Sequence, residues 1–295
     1  MTGTAESAGT LVDAVLDVAG ARIHFDVRGT GPLLVLVGSP MGADGFAASA
    51  ALLAADHTVV TFDPRGTGRS PVDDVDADSP VPVRAADLAA LVEHLGRGPA
   101  TLVGSSGGAV VSLALMQTRP ELVRAVVAHE PPLQELLPDA AARRETTDEM
   151  VRRYHEQGPA AAWALFMEAA NLPAGGPDGP GDPTADGPGD AGATGLPGAD
   201  DPDPGRERQD ADERHFFLHE MRETVRWSPD LDILRGRRVA VGIGEDSDGQ
   251  LCDLTSRALA TGLGITPERF PGGHVGFMEQ PEAFDARLRD VLARL

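Results

Sequence analysis

The chain has 295 residues, 46 of them acidic against 25 basic, for a net charge of -21. Binding a phosphate backbone depends on clustered Lys and Arg; the chain has no Lys, its Arg residues form no cluster, and no nucleic-acid partner is expected. Cys252 is the single cysteine, which leaves neither a disulfide framework nor a cysteine zinc site within one chain, so the fold must rest on a hydrophobic core.

Residues 1–10 carry neither the basic nor the apolar stretch of a secretory leader, and no later apolar run reaches the length of a membrane span. A cytoplasmic protein with no membrane partner is expected. Residues 15–18, 22–27 and 33–37 read as strands, punctuated by Gly20 and the turn 28–32. The first two alternate polar and apolar residues like a half-solvated edge pair, whereas 33–37 is apolar throughout, as a strand buried on both faces is. Helix and strand then alternate: helix 46–55, strand 58–62, helix 85–95, strand 100–103, helix 109–118 and strand 125–128. Short alternation of this kind predicts right-handed βαβ units and a mostly parallel sheet with helices on both faces.

After Pro131 and Pro132 the alternation stops. Helical patterns occupy 140–157, 159–171 and 206–227, a strand resumes at 238–243, and a last helix covers 281–295. The expected division is a sheet core over 1–131 and 236–295, with a helical insertion over 132–235. Within the insertion, 173–205 holds 10 Gly, 8 Pro and 7 Asp, too little apolar surface to offset the entropy of ordering, and is expected to be disordered.

Gly104-Ser105-Ser106-Gly107-Gly108 matches G-x-S-x-G, with a strand before it and an apolar helix after it. So tight a turn needs small neighbours and pushes Ser106 out above the sheet edge as a nucleophile. A serine needs an imidazole to take its proton, and His274, on a loop between the last apparent strand and the terminal helix, is the best placed of eight histidines. His215 and His219 lie one helical turn apart, but no third ligand accompanies them, and no metal is assigned. Val37-Gly38-Ser39-Pro40 closes the buried strand. The Ser39 and Gly107 backbone N–H groups are the expected stabilisers of a carbonyl oxyanion, since Gly38 lets the chain turn and Pro40 has no N–H.

These residues resemble the α/β-hydrolase fold family across nearly the whole chain. Residues 63–70, Asp-Pro-Arg-Gly-Thr-Gly-Arg-Ser, look like its D-x-R-G-x-G-x-S loop, read here as structural. The resemblance implies an eight-stranded, mostly parallel sheet with a helical cap inserted between the sixth and seventh strands, roofing the pocket. The chain departs from the family at Val37, where a His often precedes the oxyanion glycine, and at Ser105, where a His commonly precedes the nucleophile. The family places its acid after either the late strand or the sixth strand. At the first position the usual spacing falls on Ser247, flanked by Asp246 and Asp248; at the second stands Glu130, the preferred acid here, with Asp246 second.

The function implied is a cofactor-independent serine hydrolase cleaving a small, largely apolar ester, lactone or thioester. A dehalogenase or epoxide hydrolase would need a carboxylate at position 106. The alternatives are a non-hydrolytic, ligand-binding protein of the same fold and a cofactor-free perhydrolase or peroxidase using the same residues.

Overall fold

Leu33, Val35 and Val37 enter a core cluster on one side of a sheet, while Leu34 and Leu36 enter a second cluster on the other. A strand with no polar side chain has no face to offer water, so it lies in the sheet's interior. The computed structural model describes residues 12–172 and 203–295.

In chain order the first half comprises β1 (Val12–Val18), β2 (Ala21–Arg28), β3 (Leu33–Val37), α1 (Ala47–Leu53), β4 (Thr58–Phe62), α2 (Val81–Leu95), β5 (Ala100–Ser105), α3 (Gly107–Thr118) and β6 (Val123–His129). Helices α4 (Ala140–Gln157), α5 (Pro159–Ala170) and α6 (Pro204–His215) follow, then a π turn (Phe216–Glu220) and α7 (Met221–Val225). The chain closes with α8 (Leu231–Leu234), β7 (Val239–Gly244), α9 (Leu251–Leu263), β8 (Glu268–Phe270), α10 (Gly276–Glu279) and α11 (Pro281–Leu292).

The eight strands form one sheet in the order β1-β2-β4-β3-β5-β6-β7-β8. β2 runs antiparallel to β1 and β4, and every other pairing is parallel. Side chains of α2, α3, α8 and α9 join the core on one face, and those of α1, α10 and α11 the core on the other. The helices between β6 and β7 bring together a third apolar cluster, in which Phe217 stacks on Tyr154 and Phe216 on Trp163 at centroid distances of 5.4 and 5.7 Å. None of the described helices is long and apolar enough to cross a membrane.

Several boundaries differ from the sequence reading. The helix expected over 206–227 is broken by the π turn, which inserts an extra residue into the helical repeat. Helix α2 begins at Val81, since Pro82 suits a first turn whose N–H groups have no partner in any case. The chain also contains α8, α9, β8 and α10, which the sequence pattern did not mark. Of the stretch expected to be disordered, 173–202 lies outside the described residues. Asp203 to Gly205 instead start α6, where the Asp203 carboxylate caps the helix by accepting from the Gly205 N–H at 3.0 Å.

Candidate active site

The parallel strands β3, β5, β6 and β7 end at the same edge of the sheet, where ligands of open α/β sheets collect. Ser39, Ser106 and Glu130 each stand one or two residues beyond such an end. Among the described residues only Ser106, Glu130 and Asn171 combine a side chain with a positive φ, at 54°, 51° and 55°. Asn171 is an ordinary left-handed cap on α5. The other two hold strain at the sheet edge, of the kind that persists where the surroundings over-determine the backbone.

The turn at Ser106 works because its neighbours are small. A Cβ on Gly104 would lie 2.5 Å from the Gly108 carbonyl oxygen, and one on Gly108 would lie 2.0 Å from that of Val37. Either would push β5, α3 and β3 apart. The Ser106 N–H donates to the His129 carbonyl at 2.9 Å, which ties the turn to the next strand. Gly107 packs so closely on Ser39 that an added Cβ would lie 2.8 Å from both the Ser39 carbonyl oxygen and its Oγ. The two proposed oxyanion residues are therefore neighbours in space, with Ser106 beside them in sequence.

His274 sits on the loop between β8 and α10, its side chain 18% exposed. Its Nδ1 lies 2.6 Å from Glu130 Oε2, and the other oxygen of Glu130 accepts from the Gly244 N–H at 2.8 Å. The carboxylate is wholly buried. Burial opposes its ionisation, but the bond to His274 and the nearby imidazole charge outweigh this and hold its pKa down to about 2. Asp246 and Asp248 are exposed instead, and Asp248 pairs with Arg257 and Arg269. Of the carboxylates considered from sequence, Glu130 is the one against the imidazole.

Ser39, Ser106, Gly107 and His274 line a common cavity of about 400 Å³, the size of a small-ligand site. Met150, Trp163, Phe166 and Phe216 supply much of its apolar wall. Two further side chains on that wall were not assigned to the site from sequence. Cys252, on α9, bonds His274, and with Glu130 it raises the imidazole pKa well above its ordinary value against the opposing effect of burial. Glu220, at the end of the π turn, faces the cavity with 1% exposure. Its signal in the sequence is a carboxylate set among the apolar residues Phe216, Phe217, Leu218 and Met221.

Glu130, Cys252 and His274 bring three ligand-type atoms within 4.8 Å of one another, but the 2.6 Å bond between two of them would have to open to admit a metal ion. His215 and His219 are engaged elsewhere, with Ser79 Oγ at 3.0 Å and Asp78 at 3.2 Å respectively. The 63–70 loop is occupied by its own bonds. Asp63 accepts from the Ala43 and Arg69 N–H groups, and Arg65 donates to both oxygens of Asp87 at 2.6 Å.

The family described as alpha/beta hydrolase fold matches residues 31–168. YraK of Bacillus subtilis (strain 168), named an uncharacterized hydrolase, is 40% identical over 129 residues, 43% of this chain and 48% of that protein. The chain thus matches about half the length of this relative. A thermophilic esterase from Thermogutta terrifontis superposes with a TM-score of 0.67 at 19% identity, over 97% of this chain and 98% of the esterase. Est816, described as an N-acyl homoserine lactone degrading enzyme, gives a TM-score of 0.64 at 19% identity over 94% and 99% of the two chains. With its sheet order and its turn at Ser106, the chain has the α/β-hydrolase fold.

Proposed function

We propose that the protein is a serine hydrolase that cleaves a small, largely apolar ester, lactone or thioester through an acyl-enzyme intermediate. The observation that carries this reading is the strained Ser106 on the wall of the cavity that also holds His274, itself bonded to Glu130. A protein that only binds ligands has no use for that strain.

Ser106 Oγ attacks the substrate carbonyl carbon while His274 Nε2 takes its proton. Glu130 accepts from His274 Nδ1–H, which fixes the tautomer that leaves Nε2 free as the base and stabilises the imidazolium once it forms. The Ser39 and Gly107 N–H groups donate to the oxyanion. His274 then gives its proton to the departing alcohol or thiol, and a water activated by the same imidazole releases the acid. The described parts of the insertion, 132–172 and 203–235, serve as a cap, their aromatic side chains giving the pocket its preference for apolar groups.

A fluorophosphonate probe followed by peptide mass spectrometry tests the reading, together with p-nitrophenyl esters of graded chain length. The adduct is expected on Ser106, and turnover on short to medium chains. An adduct on Ser105, or none on the folded protein, would overturn it.

A further inference from the structure

Glu220 carries an unmet bond. One of its oxygens, Oε1, accepts from the Ser39 hydroxyl and lies 3.3 Å from Arg84 Nη1. The other, Oε2, is buried and has no hydrogen-bond partner among the described residues. Arg84 does not supply one: its Nε donates to the Ser79 carbonyl at 2.9 Å, Nη1 to Ser39 Oγ at 2.8 Å and Nη2 to Thr224 Oγ1 at 2.6 Å. Leaving a buried carboxylate oxygen unpaired is costly, and a donor arriving with a ligand removes that cost.

Three further features define the donor. Glu220 is on the cavity wall, and it ends a π turn, an irregularity found often at functional sites. Its Oε1 bonds Ser39, which in turn packs on Gly107, so Oε2 of the same carboxylate lies near the place proposed for the scissile carbonyl. Arg84, almost fully buried beside it, already balances its charge, so a neutral donor suffices. The remaining carboxylates on the wall, Asp212 and Glu213, already accept from the Gly68 N–H at 2.9 Å and the Trp163 indole at 2.7 Å. No Arg lines the cavity among the described residues, so the His274 imidazole is the one group there that could meet an anionic substrate with a positive charge.

We propose that Glu220 forms a polar subsite for a neutral hydrogen-bond donor, a hydroxyl or amide N–H, carried on the acyl group near the carbonyl. The proposal rests on the serine-hydrolase reading, in that it places the reacting carbonyl at Ser106. The substrate is then an apolar ester with one donor a few bonds from the reacting carbon, not a plain alkanoate.

The test is a ratio of kcat/KM measured within one enzyme for two near-isosteric esters, p-nitrophenyl 3-hydroxybutyrate and p-nitrophenyl 3-methylbutyrate. The native protein should favour the hydroxy ester by at least about tenfold, because a site built for a donor rejects the analogue that lacks it. In Glu220→Gln, and in the double variant Arg84→Met with Glu220→Leu, that preference should fall towards unity or reverse. A general loss of folding or of the nucleophile lowers both rates and leaves the ratio unmoved. A native ratio near one, or a ratio preserved in both variants, overturns the subsite.

Fluorophosphonate labelling of Ser106 is run alongside, so that failure of the serine reading is seen separately. Independently of turnover, Ser106→Ala protein should be stabilised against heat more by 3-hydroxybutyramide than by 3-methylbutyramide. Equal stabilisation there counts against Glu220, whatever the labelling shows.

Discussion

Glu130 and Glu220 are both buried, at 0% and 1% exposure, and both stand at the candidate site. Glu130 spends both oxygens on the protein, one on His274 and one on the Gly244 N–H. Glu220 spends one, on Ser39 and Arg84, and leaves the other without a partner among the described residues. Burial is the same for both, so it does not separate their roles. A fully bonded carboxylate is fixed in place and can orient another group, whereas a half-bonded one keeps an acceptor for something outside the chain.

The comparison breaks most severely at the shared target of both carboxylates. Ser106→Ala should lower esterase turnover by at least about 10⁴-fold and abolish fluorophosphonate labelling. If activity survives, neither carboxylate serves a serine nucleophile. Glu130→Gln should lower kcat by at least about 100-fold in folded protein, because His274 loses the acceptor that fixes its tautomer. Asp246→Asn and Asp248→Asn should each cost much less, and a crippling Asp246→Asn beside a near-native Glu130→Gln would move the acid to the late strand.

Stability sharpens the contrast from the other side. Arg84→Met leaves Glu220 buried without its counter-charge and should destabilise the protein by about 3–5 kcal/mol in denaturant titrations. Adding Glu220→Leu should recover most of that loss, since replacing both members of a buried pair is far cheaper than removing one. The smallest effect concerns pH. His274 must be neutral to act as base, so kcat/KM falls as pH drops through its pKa, which Cys252 and Glu130 raise. Cys252→Ala removes one of those influences, and the acidic limb of the pH profile should move to lower pH. An unmoved limb would detach Cys252 from the base.

Much of this arrangement was legible in the sequence because its signals are local. The unbroken apolar run of β3 and the small residues around Ser106 dictate a buried strand and a tight strand-to-helix turn wherever they occur. The pairing of Glu130 with His274 spans 144 residues and could only be narrowed to a choice among carboxylates. β8 has three residues, too few for any period to show. Helix α9 ends in a left-handed Gly264 after buried Leu259 and Leu263, a usable stop signal that the sequence reading passed over, and Cys252 went with it. In the sequence Glu220 reads as a polar position on the helix expected over 206–227 and Arg84 as the residue just before the one expected over 85–95, because nothing in either segment reveals that the other lies opposite.

Hydrolysis changes the charge of what the cavity holds. A neutral ester enters a chamber whose wall bears Asp212, Glu213 and Glu220 and, among its described residues, no Arg. In the proposed reaction it leaves as a carboxylic acid, ionised at neutral pH and facing those same side chains. Like charges in a partly desolvated space repel more strongly than in bulk water, so Glu213, bonded to the neutral Trp163 indole, opposes retention of the acid product, whereas the charge of Glu220 is balanced by Arg84. In the proposed reaction that repulsion works against product inhibition and against the reverse esterification.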